Sequence, residues 1–319
     1  MPLPPSQRFP LPLEVMNQRV VVTGANSAVG RAMFRLAARC TRPTTLVAAV
    51  RSPSAFEKLP PQPPEQGALI SYDDPLSLST AFAGASAVVH LAGTLIERHD
   101  STYETANVQT AKAVAAAAER CALKKVVLVS AIDADAQSQN RYWRTKGEAE
   151  AAVRNCGCAH TILRAPLLLG PGTEGTLALV RHLSHRSVAL PGGGRHRQQP
   201  LHVDDLARAT LAASDPAVAT NRTLDLVGPV SLADRDIVER AARLVGRHIR
   251  VRTVPIPLIR TVLRIRRAFG MRGFSPDVLE VITTGTDIDP SPAARELGIV
   301  LTGLDEMIAD SLAVAAPRR

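Results

Sequence analysis

The stretch Thr23-Gly24-Ala25-Asn26-Ser27-Ala28-Val29-Gly30 follows a run of β-branched residues and precedes an alanine-rich segment. The order is strand, tight turn and helix, which is the context that a dinucleotide site requires. Gly24 would permit the turn, the first N–H groups of the helix would face a pyrophosphate, and Gly30 would let helix and strand pack closely. This stretch therefore predicts an α/β fold with a nucleotide at the turn.

Ser27 occupies the place of the middle glycine in this turn. Its side chain lies where backbone would approach a phosphate, although a serine is small and its hydroxyl can donate to a phosphate oxygen. A glycine turn before a helix is also common in α/β proteins without a nucleotide. The turn alone leaves both interpretations open.

Outward from the turn, short β-branched runs alternate with alanine-rich stretches as far as Pro166, a pattern typical of a parallel sheet covered by helices. We predict strands at Arg19–Thr23, Thr45–Val50, Ala68–Ser71, Ala87–Leu91, Lys125–Ser130 and His160–Arg164. We predict helices at Ala28–Arg39, Ser77–Ala83, Tyr103–Cys121 and Tyr142–Asn155. The fold class is α/β: a Rossmann-type, doubly wound parallel sheet.

The pattern changes after Pro166, where glycine-rich loops precede helices with clear start signals. We predict a flexible arm at 1–18, a nucleotide-binding domain at 19–166 and a smaller mixed substrate domain at 167–319, with the strand Thr223–Val227 joining the main sheet. The predicted helix starts are Ser231 with Asp234, Ser275-Pro276 and Ser291-Pro292.

Composition narrows the function classes. The 319 residues carry a formal net charge of +9, but aromatic residues are only 3%, which disfavours nucleic-acid binding by base stacking. No apolar run reaches the roughly 20 residues of a membrane span, and the proline-rich start does not resemble a signal peptide. The cysteines Cys40, Cys121, Cys156 and Cys158 fit no metal-ligand spacing and predict reduced thiols. We expect a cytoplasmic protein without a metal.

Arg51 indicates which dinucleotide is bound. NAD sites hold the ribose hydroxyls with an acidic residue after the second strand, whereas NADP sites place an arginine against the 2′-phosphate. Val50-Arg51-Ser52-Pro53 offers the arginine and no acid. This favours NADP(H) over NAD(H), with a surface arginine as the alternative.

An ordered set of motifs resembles the extended and atypical short-chain dehydrogenases/reductases, which include the NAD(P)-dependent epimerases and dehydratases and the relatives of a complex I accessory subunit. The motifs are the turn, Val50–Pro53, Val88–Gly93, Asn107, Tyr142-x-x-x-Lys146, Leu163–Pro166, Gly170–Gly172 and Leu201–Asp205. This order is more specific than any one motif.

The resemblance implies a role for each matching residue. Tyr142 and Lys146 would be catalytic, with Ser130 either a third catalytic residue or a strand-end residue. The residues implied to contact the cofactor are Gly24, Asn26, Ser27, Ala28, Val29, Gly30, Arg51, Leu91, Ala92, Gly93, Lys146 and Pro166. The sequence departs from the family at Ser27, at Ser71 in the adenine-contact position, and at Ala131 where a second serine is common.

Tyr142 and Lys146 are four residues apart and would share one face of a helix. A phenol is a weak acid, and we expect the neighbouring ammonium to favour its ionised form. The pair predicts an NADP(H)-dependent oxidoreductase, or an epimerase/dehydratase-like enzyme, that acts on an alcohol or carbonyl of a small molecule. The alternative is an NAD(P)H-binding sensor or assembly protein without turnover.

Four further features carry weaker expectations. We expect Trp143 to pack rather than to contact substrate, and His202 to be structural. Arg195–Arg197 could meet an anionic ligand, but we favour a solvated loop. Pro257–Gly273 is a basic amphipathic helix, for which we expect an apolar stripe in the core; peripheral contact with an anionic membrane is the alternative.

Overall fold

The computed structural model describes residues 18–38, 44–60, 66–271 and 273–315. In chain order the strands are β1 (Arg19–Thr23), β2 (Thr45–Val50), β3 (Gly67–Leu69), β4 (Ala87–His90), β5 (Lys125–Ala131), β6 (Ala159–Ala165), β7 (Leu168–Leu169), β8 (Ser187–Pro191), β9 (Arg197–Gln198), β10 (Leu201–His202), β11 (Arg222–Asp225), β12 (Leu232–Ala233) and β13 (Arg250–Val254). The helices are α1 (Ala28–Ala37), α2 (Pro53–Phe56), α3 (Pro75–Phe82), α4 (Thr110–Arg120), α5 (Arg141–Arg154), α6 (Glu174–Leu183), α7 (Val203–Ala213), α8 (Asp234–Leu244), α9 (Ile256–Ala268), α10 (Pro276–Thr283), α11 (Ser291–Glu296) and α12 (Leu304–Ala315).

The centre of the fold is a parallel seven-stranded sheet in the order β11-β6-β5-β4-β1-β2-β3. The chain winds outward from β1 in both directions, so the strand order reverses between β1 and β4. In open α/β sheets a ligand binds at this switch point, outside the carboxyl ends of the strands. The predicted Rossmann-type sheet is confirmed.

Both faces of the sheet are covered by helices. Val20 and Val22 of β1 belong to a core cluster that includes residues of α1 and α7, while Val21 belongs to a second cluster with residues of α3, α4 and α5. None of the three side chains is exposed to solvent. Burial on both sides explains why β1 reads as a continuous apolar run, which is the sequence signal that identified it.

The chain after Pro166 adds a separate cluster, in which Leu179, Ile237 and Met307 are buried together. The predicted strand Thr223–Val227 is found at Arg222–Asp225, paired with β6. The division into domains at 19–166 and 167–319 stays a prediction. The predicted arm and Cys40 lie outside the described residues, apart from Gln18.

Several local predictions need correction. Ser275 caps α10, as predicted, by accepting a hydrogen bond from the Val278 N–H. Ser231 is not a cap, because its hydroxyl donates to the Thr286 carbonyl at 2.6 Å and α8 begins only at Asp234. Ser291 is not a cap either, because it is the first residue of α11. Its N–H donates to the Asp289 carboxylate. The predicted helix Tyr103–Cys121 contains a π-helical segment, Glu104–Gln109, before α4.

The basic helix predicted at Pro257–Gly273 forms as α9, but the expected core stripe is wrong. Only Leu263 of this helix is buried, and most of its other large apolar side chains are exposed. The sequence pattern of an amphipathic helix does not reveal whether its apolar face meets the core or the solvent. Within the described residues, no helix has the length and apolar character needed to cross a membrane.

Candidate active site

The turn between β1 and α1 has no room for side chains at its two glycines. Gly24 has a φ of +73°, and a Cβ there would lie 2.8 Å from the backbone nitrogen of Ala92 at the end of β4. A Cβ on Gly30 would lie 2.1 Å from the carbonyl oxygen of Ala25. The turn therefore packs directly against β4 and leaves the start of α1 open toward the switch point, which suits a pyrophosphate.

Ser27 stabilises the helix that the turn introduces. Its hydroxyl oxygen accepts the Gly30 N–H at 3.1 Å as the N-cap of α1, so the hydroxyl hydrogen stays available to another acceptor. Arg31 was not among the predicted site residues, and its guanidinium donates to the carbonyls of Asn26 at 2.7 Å and Gly172 at 3.4 Å. Arg31 thus connects the turn to the loop that contains Gly172. The sequence signal that could have identified it is its position directly after Gly30.

A polar cluster lies where β1, β2 and β3 end. Arg51 is exposed just beyond β2. Burial raises the pKa of Tyr72 to about 12, although a hydrogen bond with Thr23 and the positive charge of Arg51 both act to lower this pKa. The Tyr72, Thr23 and Arg51 side chains are therefore neighbours. Tyr72 was not among the predicted site residues. The residue predicted at the adenine-contact position was its neighbour Ser71, whose hydroxyl accepts the Asp73 N–H.

His90 connects this cluster to α4 beneath the switch point. Its ring nitrogens lie 2.7 Å from the Thr23 hydroxyl and 3.2 Å from the Thr110 hydroxyl. Burial, with a smaller contribution from the Lys146 charge, lowers the pKa of His90 to about 3. The ring is therefore neutral at physiological pH and acts as a fixed hydrogen-bonding bridge.

The predicted residues at the end of β4 reach Lys146. The Leu91 N–H donates to the Thr23 carbonyl at 3.0 Å, which continues the pairing of β4 with β1 past His90. Gly93 is exposed, and a Cβ there would lie 3.0 Å from Asn107 Oδ1 and 3.7 Å from Lys146 Nζ. Leu91, Ala92 and Gly93 thus form one wall of the space between the turn and α5.

The start of α5 is fixed from two sides. Asn140 Oδ1 accepts the Tyr142 N–H at 3.0 Å, and Asn140 Nδ2 donates to Glu280 Oε2 of α10 at 3.0 Å. The Arg141 N–H donates to Asp277 Oδ1, also of α10, at 3.1 Å. Because α10 holds the first turn of α5, the chain beyond residue 270 positions Tyr142.

Tyr142 and Lys146 are one turn apart on α5, as predicted, but the expected effect of the lysine on the phenol is wrong. Lys146 Nζ donates to the Val129 carbonyl at 2.9 Å, and burial lowers its pKa to about 8, partly offset by Glu150. Burial and Tyr103, whose ring centroid lies 5.8 Å away, raise the pKa of Tyr142. The Tyr142 phenol is therefore neutral at neutral pH.

The remaining predicted catalytic residue, Ser130, is 5% exposed and its hydroxyl has no hydrogen-bond partner. Its neighbour Ala131 lines the cavity beside Tyr142, and Ser130 is not among the lining residues. Asp133 also lines this cavity and has a φ of +63°, and it was not among the predicted site residues. Burial and Asp225 raise the pKa of Asp133.

Tyr142 lines a cavity of about 270 Å³ between the sheet and the C-terminal elements. Pro166 and Trp143 also line it, and the expectation that Trp143 packs rather than contacts a substrate stays a prediction. The apolar lining residues are Leu95, Ala131, Ile132, Ala165, Pro166, Leu167, Leu169, Ala178, Leu179, Ile237, Val238, Val281 and Ile282. Among the described residues that line it there is no lysine or arginine.

Two peripheral candidates have structural roles. His202 is 3% exposed and caps α7 by accepting the Asp204 N–H at 3.2 Å. Arg197 donates to the hydroxyl and carbonyl of Ser231 and lies 3.5 Å from Asp287, while Arg195 is exposed. In the described part of the chain, no cluster of three or more His, Cys, Asp or Glu side chains could hold a metal.

Proteins of known function resemble the chain in sequence. Over 296 residues it is 29% identical to a ceramide reductase of Caulobacter vibrioides, an alignment that covers 88% of each protein. It is 28% identical over 191 residues to subunit 9 of the NADH dehydrogenase 1 alpha subcomplex of Arabidopsis thaliana mitochondria. That alignment covers 58% of this chain and 47% of the plant subunit, so the chain matches about half the length of that relative.

The fold also matches solved structures. MoeE5, solved in complex with UDP-glucuronic acid and NAD, superposes with a TM-score of 0.71 at 21% identity, over 93% of this chain and 98% of MoeE5. The family model described as NAD(P)H-binding matches residues 24–212, from the first glycine of the turn through α7. The predicted resemblance to the extended short-chain dehydrogenases/reductases is thereby confirmed, and the chain belongs to the NAD(P)H-binding family.

Proposed function

We propose that this protein is an NADP(H)-dependent reductase that converts a carbonyl group of an apolar small molecule to an alcohol. The observation that carries the proposal is Tyr142, a neutral phenol in the wall of an apolar cavity, one helical turn from the buried Lys146. A phenol that keeps its proton at neutral pH has a proton to give to the carbonyl oxygen of a substrate in this cavity, which is the reductive direction.

In this proposal the bound cofactor supplies a hydride to the carbonyl carbon. The Tyr142 hydroxyl donates its proton to the carbonyl oxygen, so that the product is the alcohol and the phenolate remains on the protein. The Lys146 ammonium would hold the nicotinamide ribose and stabilise the phenolate by its charge. Gly93 has no side chain beside Lys146, which would let the ribose approach the backbone there.

The cavity lining favours an uncharged, apolar substrate over a nucleotide sugar. Arginine and lysine are strong partners for a diphosphate, and the described lining offers neither while carrying the carboxyl groups of Asp133 and Asp234. Burial raises the pKa of each carboxyl and lowers the pKa of His182, which disfavours a positive charge on this histidine. The similarity to a ceramide reductase supports a lipid-like carbonyl compound.

The direct experiment is NADPH oxidation by the purified protein against carbonyl compounds that range from short ketones to long-chain keto lipids and UDP-sugars. We expect turnover that increases with the apolar length of the substrate and none with UDP-sugars. Turnover of UDP-sugars alone would contradict the substrate class, while tight NADPH binding without any turnover would contradict the enzyme.

The second candidate is a protein that binds NAD(P)H without turnover. The observation that favours it is Ala131, which gives the cavity a methyl group where related enzymes commonly carry a serine, while the Ser130 hydroxyl stays buried outside the cavity. In this case NADPH would bind and the cavity would take up apolar ligands, but no substrate would oxidise the cofactor.

Cofactor preference is tested by Arg51→Ala. Loss of the guanidinium removes a charge-assisted contact to the 2′-phosphate, so we expect NADPH to bind roughly 10- to 100-fold more weakly while NADH binding is unchanged. Fluorescence titration with both nucleotides measures this. Arg120→Ala, an equally exposed arginine on α4, is the matched control. Equal weakening of NADH by Arg51→Ala would contradict the assignment to the 2′-phosphate.

The lysine gives a pH dependence. Its pKa of about 8 lies below the ordinary value of 10.5, so the ammonium of the free enzyme is lost as the pH rises through 8. We expect kcat/KM for NADPH, which reports groups of the free enzyme, to fall on the alkaline side with a midpoint of about 8. Lys146→Arg keeps a cation and should give a lower but flat profile. A flat wild-type profile between about pH 7 and pH 10 would exclude this role.

A further inference from the structure

The exposed side of α9 presents an apolar stripe. Leu258, Val262, Ile265 and the adjoining Phe269 are spaced by four, three and four residues, so they lie on one face of the helix. Their exposures are 59%, 48%, 54% and 79%. Large apolar side chains exposed singly are ordinary, but a continuous row marks a contact surface.

The same helix is strongly basic. Arg260, Arg264 and Arg266 are exposed, and within the described residues none has an acidic side chain in ion-pair distance. Arg267 is the exception, at 3.5 Å from Asp277 of α10. From 256 to 269 the sequence contains no aspartate or glutamate. The partner of the stripe must therefore accept both apolar side chains and positive charge.

We propose that the exposed face of α9 docks on the surface of an anionic lipid bilayer. Leu258, Val262, Ile265 and Phe269 would enter the boundary between headgroups and acyl chains. Arg264 and Arg266, which lie to the two sides of this row on the helix, would reach lipid phosphates. A second copy of this chain fits less well. Two stripes facing each other would bring two arginine-rich helices together without a carboxylate between them.

The docking helix is connected to the candidate active site. Arg267 lies against Asp277, whose other carboxylate oxygen accepts the N–H of Arg141, the residue before Tyr142. A second cavity, of about 250 Å³, lies between these elements and is lined by Leu263, Met271 and Phe274 together with Arg141. An enzyme docked in this way would have the helix that carries Tyr142 close to the membrane, where lipid-like substrates are found. Docking itself does not depend on turnover or on a cofactor.

The test is cosedimentation of the full chain with vesicles of phosphatidylcholine, alone or mixed with phosphatidylglycerol. We expect binding to the mixed vesicles to be about tenfold tighter than to phosphatidylcholine and to weaken as salt is raised. The double variant Leu258→Ser/Phe269→Ser should bind the mixed vesicles at least about tenfold more weakly. Arg264→Ser/Arg266→Ser should lose about tenfold as well.

Matched controls separate this face from general stickiness and from unfolding. Leu76→Ser/Val300→Ser removes two residues of 74% and 63% exposure elsewhere, and Arg120→Ser/Arg186→Ser removes two exposed arginines elsewhere. Both controls should bind as the wild type does. Equal losses in the controls, or no vesicle binding by the wild type, would overturn the proposal. A dimer in light scattering that Leu258→Ser/Phe269→Ser dissociates, without vesicle binding, would assign the face to a second copy.

Discussion

Tyr142→Phe should lower kcat/KM for carbonyl reduction by about a thousandfold, because removal of the phenol hydroxyl takes away the only general acid that the proposal places at the carbonyl oxygen. Proton donation by a positioned acid contributes effects of this size. The ring itself stays, so the cavity wall and the first turn of α5 keep their packing. NADPH binding, measured by fluorescence titration, should be unchanged within about twofold.

Tyr103→Phe is the matched control. Tyr103 is 1% exposed, its hydroxyl donates to the Leu95 carbonyl at 2.9 Å, and it does not line the cavity. We expect this variant to keep its activity within about fivefold, the cost of a lost hydrogen bond. Comparable losses in Tyr103→Phe and Tyr142→Phe would show that the effect is structural. Full activity in Tyr142→Phe would remove the catalytic role of the phenol.

The sheet and the nucleotide turn were predictable because local chemistry decides them. The bounds of β1 and β2 agree with the prediction residue for residue, since each strand is buried on both faces, β1 ends at the polar Thr23, and Arg51 follows β2. Gly24 and Gly30 were predictable from the spacing of the turn, because Gly24 adopts a φ of +73° and Gly30 packs against the carbonyl of the nearby Ala25.

The electrostatics of the site were not predictable from spacing. A spacing of four positions places Tyr142 and Lys146 on one face of α5, but this spacing does not say which acceptor the long lysine side chain reaches. In the structure it donates to the Val129 carbonyl of β5. The state of the phenol therefore depends on a contact between α5 and β5, which no local pattern reports.

Tertiary contacts also decide the two outcomes that spacing left open. The amphipathic pattern of α9 fits either a core or a surface helix. In the structure only Leu263 of this helix is buried by the rest of the fold. Trp143 lines the cavity because α10 fixes the start of α5 through Asn140. In both cases the C-terminal chain, whose elements carry the weakest sequence signals, sets the geometry of the site.

Glu150→Gln should destabilise the fold by about 3–5 kcal/mol, because it breaks a buried ion pair between α5 and the sheet. The Glu150 side chain is fully buried. Arg164 of β6 donates to its two oxygens at 2.8 and 2.7 Å, and Arg154 donates at 2.7 Å. A neutral amide cannot accept on both atoms or balance two guanidinium groups. Urea denaturation measures the loss, and Glu148→Gln, a partly exposed position on the same helix, should cost less than about 0.5 kcal/mol.

The same substitution should change the pH profile, because Glu150 is the group that partly restores the pKa of Lys146. Without its negative charge the Lys146 ammonium is lost at a lower pH, so the alkaline limb of kcat/KM for NADPH should move toward neutrality. Glu148→Gln should leave the limb in place. A Glu150→Gln protein as stable as the wild type would show that the Glu150 carboxylate does not hold α5 to β6. An unmoved limb would show that this carboxylate does not set the charge of the lysine beside Tyr142.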